Sequence, residues 1–151
     1  MGAAPAQVHA RCAGQVRQGR AVRGPRRDLR LSRAFYVDRL GWEAATYVPG
    51  EVLMIRVGEL VMLSLWAEAG FEAEVGPLRR GSGLAPVTLA HNVRTPEDVD
   101  RVLAEAQAAG AEVSGAAHRE WGGYTGYFAD PDGYRWEIAH NPGPEGALVL
   151  P

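Results

Sequence analysis

At 151 residues, 46% hydrophobic and 23% charged, the chain fits one domain or one compact unit of two small repeats, which excludes wholesale disorder and a coiled coil. Its apolar stretches, such as residues 60–66, fall far short of the roughly 20 residues of a membrane-spanning helix, so a soluble, non-membrane protein is expected. Cys12 is the lone cysteine, which excludes an intramolecular disulfide and a thiolate metal cluster and makes a reducing cytoplasm the expected location.

The formal net charge of −2 conceals an uneven split, because eight of the 16 arginines lie between Arg11 and Arg33 and only Asp28 offsets them. The first 33 residues carry +7 and the remainder −9. Such a basic leader has the charge for nucleic acid but neither interleaved aromatics nor a recognition motif, so nucleic acid is not an expected partner. It also lacks the apolar core of a secretory signal. Residues 1–27 read as an atypical leader, disordered or even translated from a shifted frame, and the folded domain is expected over 28–142, with a tail at 143–151. A first strand is sought around Gln15 to Val22, where only Val16, Ala21 and Val22 are apolar.

From Asp28 the elements follow in order. Asp28 or Ser32 caps a short helix that ends at Gly41. Trp42 to Val48 and Glu51 to Val57 form a hairpin around Pro49-Gly50. Leu60 to Trp66 is a strand apolar on both faces. Residues 68–85 are acidic, then rich in Gly, Pro and Arg, and read as a linker or lid. Residues 86–93 are a strand. Thr95-Pro96-Glu97-Asp98 then supplies an N-cap, a proline at the first helical position and acids in the first turn, with Val99, Val102, Leu103 and Ala106 on one side and Gly110 as the stop. Strands follow from Glu112, from Tyr124 to Ala129 and from Tyr134 to His140, broken by Gly122-Gly123 and by the Asp130-Pro131-Asp132-Gly133 turn. The fold class is therefore α+β, two βαβββ repeats at about 28–67 and 86–142.

Three segments carry a resemblance: Ser32 to Tyr36 with Leu40-Gly41-Trp42-Glu43, then Thr95 to Asp100, then the run Gly122 to Ile138 with its Asp-Pro-Asp-Gly turn. Together they resemble the vicinal oxygen chelate superfamily of glyoxalases, bleomycin- and fosfomycin-resistance proteins and extradiol dioxygenases. The resemblance implies curled mixed sheets that enclose a cavity, with a His, Gln or Glu on the first and last strand of each repeat in the metal-dependent members. Carried over position by position, it matches Glu137, offers Thr88 in place of a ligand and sets Ser64 opposite Glu137. One carboxylate with hydroxyls is a poor site for zinc, nickel or iron, so no metal is expected; if one binds, Glu137 is its ligand. His91, His118 and His140 are weaker candidates and His9 weaker still.

Strand alternation then names the pocket-lining residues: Met62, Ser64, Trp66, Thr88, Asn92 and Tyr127, with Trp121 beside the flexible Gly122-Gly123 and Glu137 as a ligand, base or satisfied polar group. Two functions compete. One is binding of a small aromatic or planar molecule in the cavity, without cofactor, by a homodimer. The other is a lyase or dioxygenase in which Zn, Ni, Mn or Fe bound by Glu137 polarises vicinal oxygens, making Glu137 the catalytic residue.

Overall fold

The computed structural model describes residues 20–59, 61–78, 80–85 and 87–150, without the side chains of Arg20 and Arg23. Its elements are β1 (Arg20–Arg26), α1 (Leu29–Arg33, continued by a π-helical segment Ala34–Arg39), β2 (Ala44–Val48), β3 (Val52–Gly58), β4 (Val61–Ala67), α2 (Glu68–Glu74), β5 (Thr88–Asn92), α3 (Pro96–Ala108), β6 (Glu112–His118), β7 (Tyr124–Ala129), β8 (Arg135–His140) and α4 (Pro144–Ala147). They build two four-stranded mixed sheets of matching order, β1-β4-β3-β2 and β5-β8-β7-β6. In each, the first strand of the repeat runs parallel to the last and the other pairings are antiparallel. Among the described residues, no helix is long and apolar enough to cross a membrane.

Local chemistry sets the ends of these elements. Asp28 caps α1 by accepting from Arg30 N at 2.9 Å, and Thr95 caps α3 by accepting from Asp98 N at 3.1 Å. Gly50 turns the β2–β3 hairpin at φ 78° and Gly110 ends α3 at φ 95°, both in the left-handed region that residues with a Cβ rarely enter.

Alternation along the strands sorts the side chains. Leu53, Ile55, Leu63 and Leu65 of the first sheet and Phe128, Trp136 and Ile138 of the second are buried in one shared core with Phe35 and Tyr36 of α1 and Val99, Leu103 and Ala106 of α3. An aromatic ladder crosses between the repeats: the Phe35 and Phe128 ring centroids stand 6.1 Å apart, and Trp42 meets Trp136 edge-on at 5.2 Å. The helix-bearing faces of the two sheets therefore pack toward each other, and the opposite faces are turned away. Burying seven large apolar side chains on the helix side outweighs any gain from packing the two outward faces on each other.

A buried polar tie also joins the halves. Arg26, 2% exposed, sets Nη2 3.0 Å from Asp130 Oδ2, and its Nε lies 3.4 Å from Asp132 Oδ2 without hydrogen-bond geometry. Tyr36 donates its hydroxyl proton to Asp130 Oδ2 at 2.6 Å while accepting from Trp136 Nε1 at 2.8 Å. The second Asp130 oxygen accepts the backbone N–H groups of Asp132 and Tyr134, and the Arg26 guanidinium lies 4.2 Å over the Tyr134 ring. Burial, then Asp130, pushes the Tyr36 phenol well up; burial likewise raises the Asp132 carboxyl against the pull of Arg27 N–H and Arg26.

Three segments differ from expectation. Strand β1 lies inside the stretch read as leader, overlapping the Gln15 to Val22 candidate only from Arg20, and it sits at a sheet edge, where β4 is its single partner. Residues 1–19, with the remaining leader expectations and His9, lie outside the described residues. The stretch read as a structureless linker opens with α2, whose Glu68 and Glu72 both receive Arg80 at 3.2 Å and whose Glu72 accepts Leu78 N at 3.0 Å. Seven residues without an apolar period gave no helical signal. The tail includes a short helical turn, α4.

Candidate functional site

The expected site residues separate into two groups, one on each sheet, on the faces opposite the helices. In the first sheet, Met62 and Trp66 are half-buried while Ser64 is 1% exposed. The Trp66 indole donates to Ser64 Oγ at 2.7 Å, and α2 packs against β1 and β4. The buried hydroxyl of this half is thus satisfied from within the strand.

The second sheet presents three aligned rows. Asn92, Ala139 and Thr125 form one, Ala90, Glu137 and Tyr127 the next, Thr88, Arg135 and Ala129 the third. Gly126, on the other parity, would point a Cβ into Leu103 of α3, which confirms that Thr125 and Tyr127 face away from the helix. The residue beside Glu137 on β5 is Ala90; Thr88 shares its face but is one row away and exposed. Alanines make a low floor on which the polar side chains stand.

Those polar groups form two hydrogen-bonded pairs. Tyr127 donates its hydroxyl proton to Glu137 Oε1 at 3.0 Å, and burial, followed by Glu137, raises the phenol pKa. Arg119 donates Nε to Thr125 Oγ1 at 2.6 Å and Nη2 to the Thr125 carbonyl at 3.2 Å, and its guanidinium stands 5.9 Å from the Tyr127 ring centre. Arg119 begins the tight β6–β7 turn, closed by Arg119 N to Gly123 O at 2.8 Å and Gly122 N to Arg119 O at 2.9 Å. At its tip Trp121 is 57% exposed, and its ring lies where a Cβ on Gly123 would project. Gly123 has the parity of Thr125 and Tyr127, so the indole covers the end of the same face.

As a metal site the face fits poorly. Among the described residues no three His, Cys, Asp or Glu side chains gather, and Glu137 is engaged by the Tyr127 phenol with Ala90 beside it on β5. The histidines are dispersed. His91 stands at the rim of a crevice of about 160 Å³ on the helix side, among Leu40, Trp42, Arg101, Val102 and Glu105. His118 stacks on Tyr124 at 4.8 Å, and His140 buries Nδ1 without a hydrogen bond. None of the expected site residues lines that crevice.

The family model of the glyoxalase/bleomycin resistance protein/dioxygenase superfamily matches residues 22–138. The chain belongs to this superfamily. Among solved structures, it is similar to a glyoxalase-related enzyme from Fulvimarina pelagi at 32% identity, covering 84% of this chain and 90% of that one with a TM-score of 0.73. A glyoxalase/bleomycin resistance protein/dioxygenase from Nocardioides has 24% identity over 90% of this chain and 97% of its own, with a TM-score of 0.68. The lactoylglutathione lyase of Agrobacterium tumefaciens, at 22% identity, 80% and 91% coverage and a TM-score of 0.64, shares the fold. No curated protein matches the chain.

Superfamily membership accounts for the two-repeat frame but does not name Arg119, which sequence reasoning missed. The available signal was an arginine and a tryptophan flanking the Gly122-Gly123 break, six residues before a threonine of the face strand.

Proposed function

We propose that the open face of the second sheet binds a small planar molecule and holds it without transforming it, in the manner of the bleomycin-resistance branch of the superfamily. The observation that carries this reading is the two hydrogen-bonded pairs Arg119–Thr125 and Tyr127–Glu137, standing side by side on an alanine floor beside an exposed indole. Flat floors with a few oriented polar groups and an aromatic edge suit planar ligands. The two carboxylates on this face are both engaged, Glu137 by Tyr127 and Glu112 by Arg135, so the donor set supports recognition better than metal-centred lyase or dioxygenase chemistry. The single cysteine supports a cytoplasmic setting.

A homodimer is part of the proposal. Because the helix-bearing faces share one core within the chain, the outward faces of two copies are free to close on each other and exclude water from the ligand. Sedimentation should give twice the 16.2 kDa chain mass at micromolar concentration; a purely monomeric species would reject it.

The binding reading is tested by screening planar aromatic compounds by thermal shift against the wild type and Glu137→Gln, with plasma emission spectrometry on the dialysed protein. Ligand-induced stabilisation that falls in Glu137→Gln supports it. Stoichiometric Zn, Ni, Mn or Fe lost in Glu137→Gln would instead establish the metal-dependent reading.

A further inference from the structure

We infer that the second-sheet face selects its ligand by an anionic oxygen group seated at Arg119, and that the ligand class is an aromatic carboxylate. This rests on the reading of that face as a small-molecule site and adds what the site would recognise. Arg119 is half-buried and pre-oriented: Nε and Nη2 are spent on the hydroxyl and carbonyl of Thr125, while Nη1 has no partner among the described residues. A guanidinium fixed by two bonds and presenting its remaining N–H groups to an open face is arranged for a planar oxyanion, because little side-chain entropy is left to lose on binding.

The surroundings point the same way. Glu137 carries the opposite charge and is engaged by the Tyr127 hydroxyl at 3.0 Å, while the Arg119 guanidinium, held by Thr125 at the turn, stands 5.9 Å from the ring centre. The face is thus polarised, cationic at the hairpin tip and anionic toward Ala90, so a carboxylate is drawn to the tip and repelled from the other end. Arg135, the other arginine of this face, is committed to Glu112 at 3.4 Å. Trp121, exposed and resting against Gly123 beside Arg119, supplies the apolar surface for the ring that bears the carboxylate. A brace for the hairpin would need only the two bonds to Thr125; it would require neither the free Nη1 nor the exposed indole next to it.

Naphthoate and its neutral counterpart naphthylmethanol serve as probes, titrated by calorimetry and by tryptophan fluorescence against the wild type, Arg119→Gln, Arg119→Lys and Trp121→Phe. The wild type should bind naphthoate about ten-fold or more tightly than naphthylmethanol, the margin a charge-assisted hydrogen bond supplies. Arg119→Gln should weaken naphthoate far more than naphthylmethanol and so bring the two affinities together, Arg119→Lys should recover part of the margin, and Trp121→Phe should abolish the fluorescence response. Should Arg119→Gln fail to fold, the two probes on the wild type decide alone. Equal affinity for both probes overturns the anion assignment and leaves the small-molecule reading standing; absence of binding by either overturns both.

Discussion

The two sheets have the same strand order and bear their helices on the same side, and each outward face holds one buried hydroxyl, Ser64 and Thr125, yet the partners differ. On the first, the Ser64 hydroxyl is taken by Trp66 of the same strand, with α2 packed on β1 and β4. On the second, the Thr125 hydroxyl is taken by Arg119 from the turn, Thr88, Ala90 and Trp121 are exposed, and a charged pair of residues, Arg119 and Glu137, stands half-buried. Repetition of a fold therefore does not repeat a site. What decides is the segment that follows each repeat's last strand: seven helical residues after β4, and the short turn α4, set off by Asn141-Pro142-Gly143, after β8.

The comparison depends on both sheets keeping their helix-bearing faces together, and the Arg26–Asp130 tie is where it breaks first. Asp130→Ala takes the closest carboxylate from buried Arg26, leaving Asp132 at 3.4 Å, and takes an acceptor from Tyr36, so a loss of about 3 kcal/mol is expected, toward the low end for broken buried pairs. For a chain of this size that lowers the thermal midpoint by about 10 °C. A drop of only a degree or two would mean that the aromatic ladder alone holds the halves.

Smaller, and of opposite kind on the two faces, are the effects of removing one hydroxyl. Ser64→Ala removes a buried hydroxyl and the acceptor of the Trp66 indole, and should cost about 1 kcal/mol of stability with probe binding unchanged. Tyr127→Phe removes a partly exposed hydroxyl, so its stability cost should stay near or below about 1 kcal/mol while naphthylmethanol affinity falls. Chemical denaturation and calorimetry on the same two variants separate the cases. If Ser64→Ala weakens binding and Tyr127→Phe does not, the site belongs to the first sheet.

What could be read from the sequence follows the same division. The second repeat was legible throughout, because Thr95-Pro96 caps, Val99 and Leu103 keep the helical period, and Gly133 closes a turn whose strand alternation fixes Glu137 and Tyr127 on one face. The first repeat was legible only from α1. Strand β1 reads Arg-Ala-Val-Arg-Gly-Pro-Arg, and its closing arginine is buried by Asp130 and Asp132, which lie more than a hundred residues along the chain. No local pattern announces such a pairing. Arg119 escaped for a related reason: its role comes from a turn that folds it back over Thr125, and strand parity alone says nothing about residues in a turn.

The smallest expected effect is one of acidity, and it sets the two halves against each other in sign. In the tie, burial raises the Asp132 carboxyl, so its contribution to stability is full below the ordinary value of 3.8 and is lost as pH rises through the folded value. At the edge of the second sheet, His91 is shifted downward from 6.5, first by burial against the crevice and then by Arg101 across it. The fold thus favours the neutral imidazole. Its contribution is present above 6.5 and is lost as pH falls through the lower folded value, because the unfolded chain takes up the proton first. An NMR titration should place the His91 midpoint below 6.5. Arg101→Gln should return it only part of the way, since burial is the larger cause and Glu105 stays on the same rim. His91→Gln should flatten this part of the acid limb of the stability curve without affecting naphthoate binding on the opposite face. A midpoint at or above 6.5 would show that the ring is solvated and that the helix-side crevice is open to water at its edge.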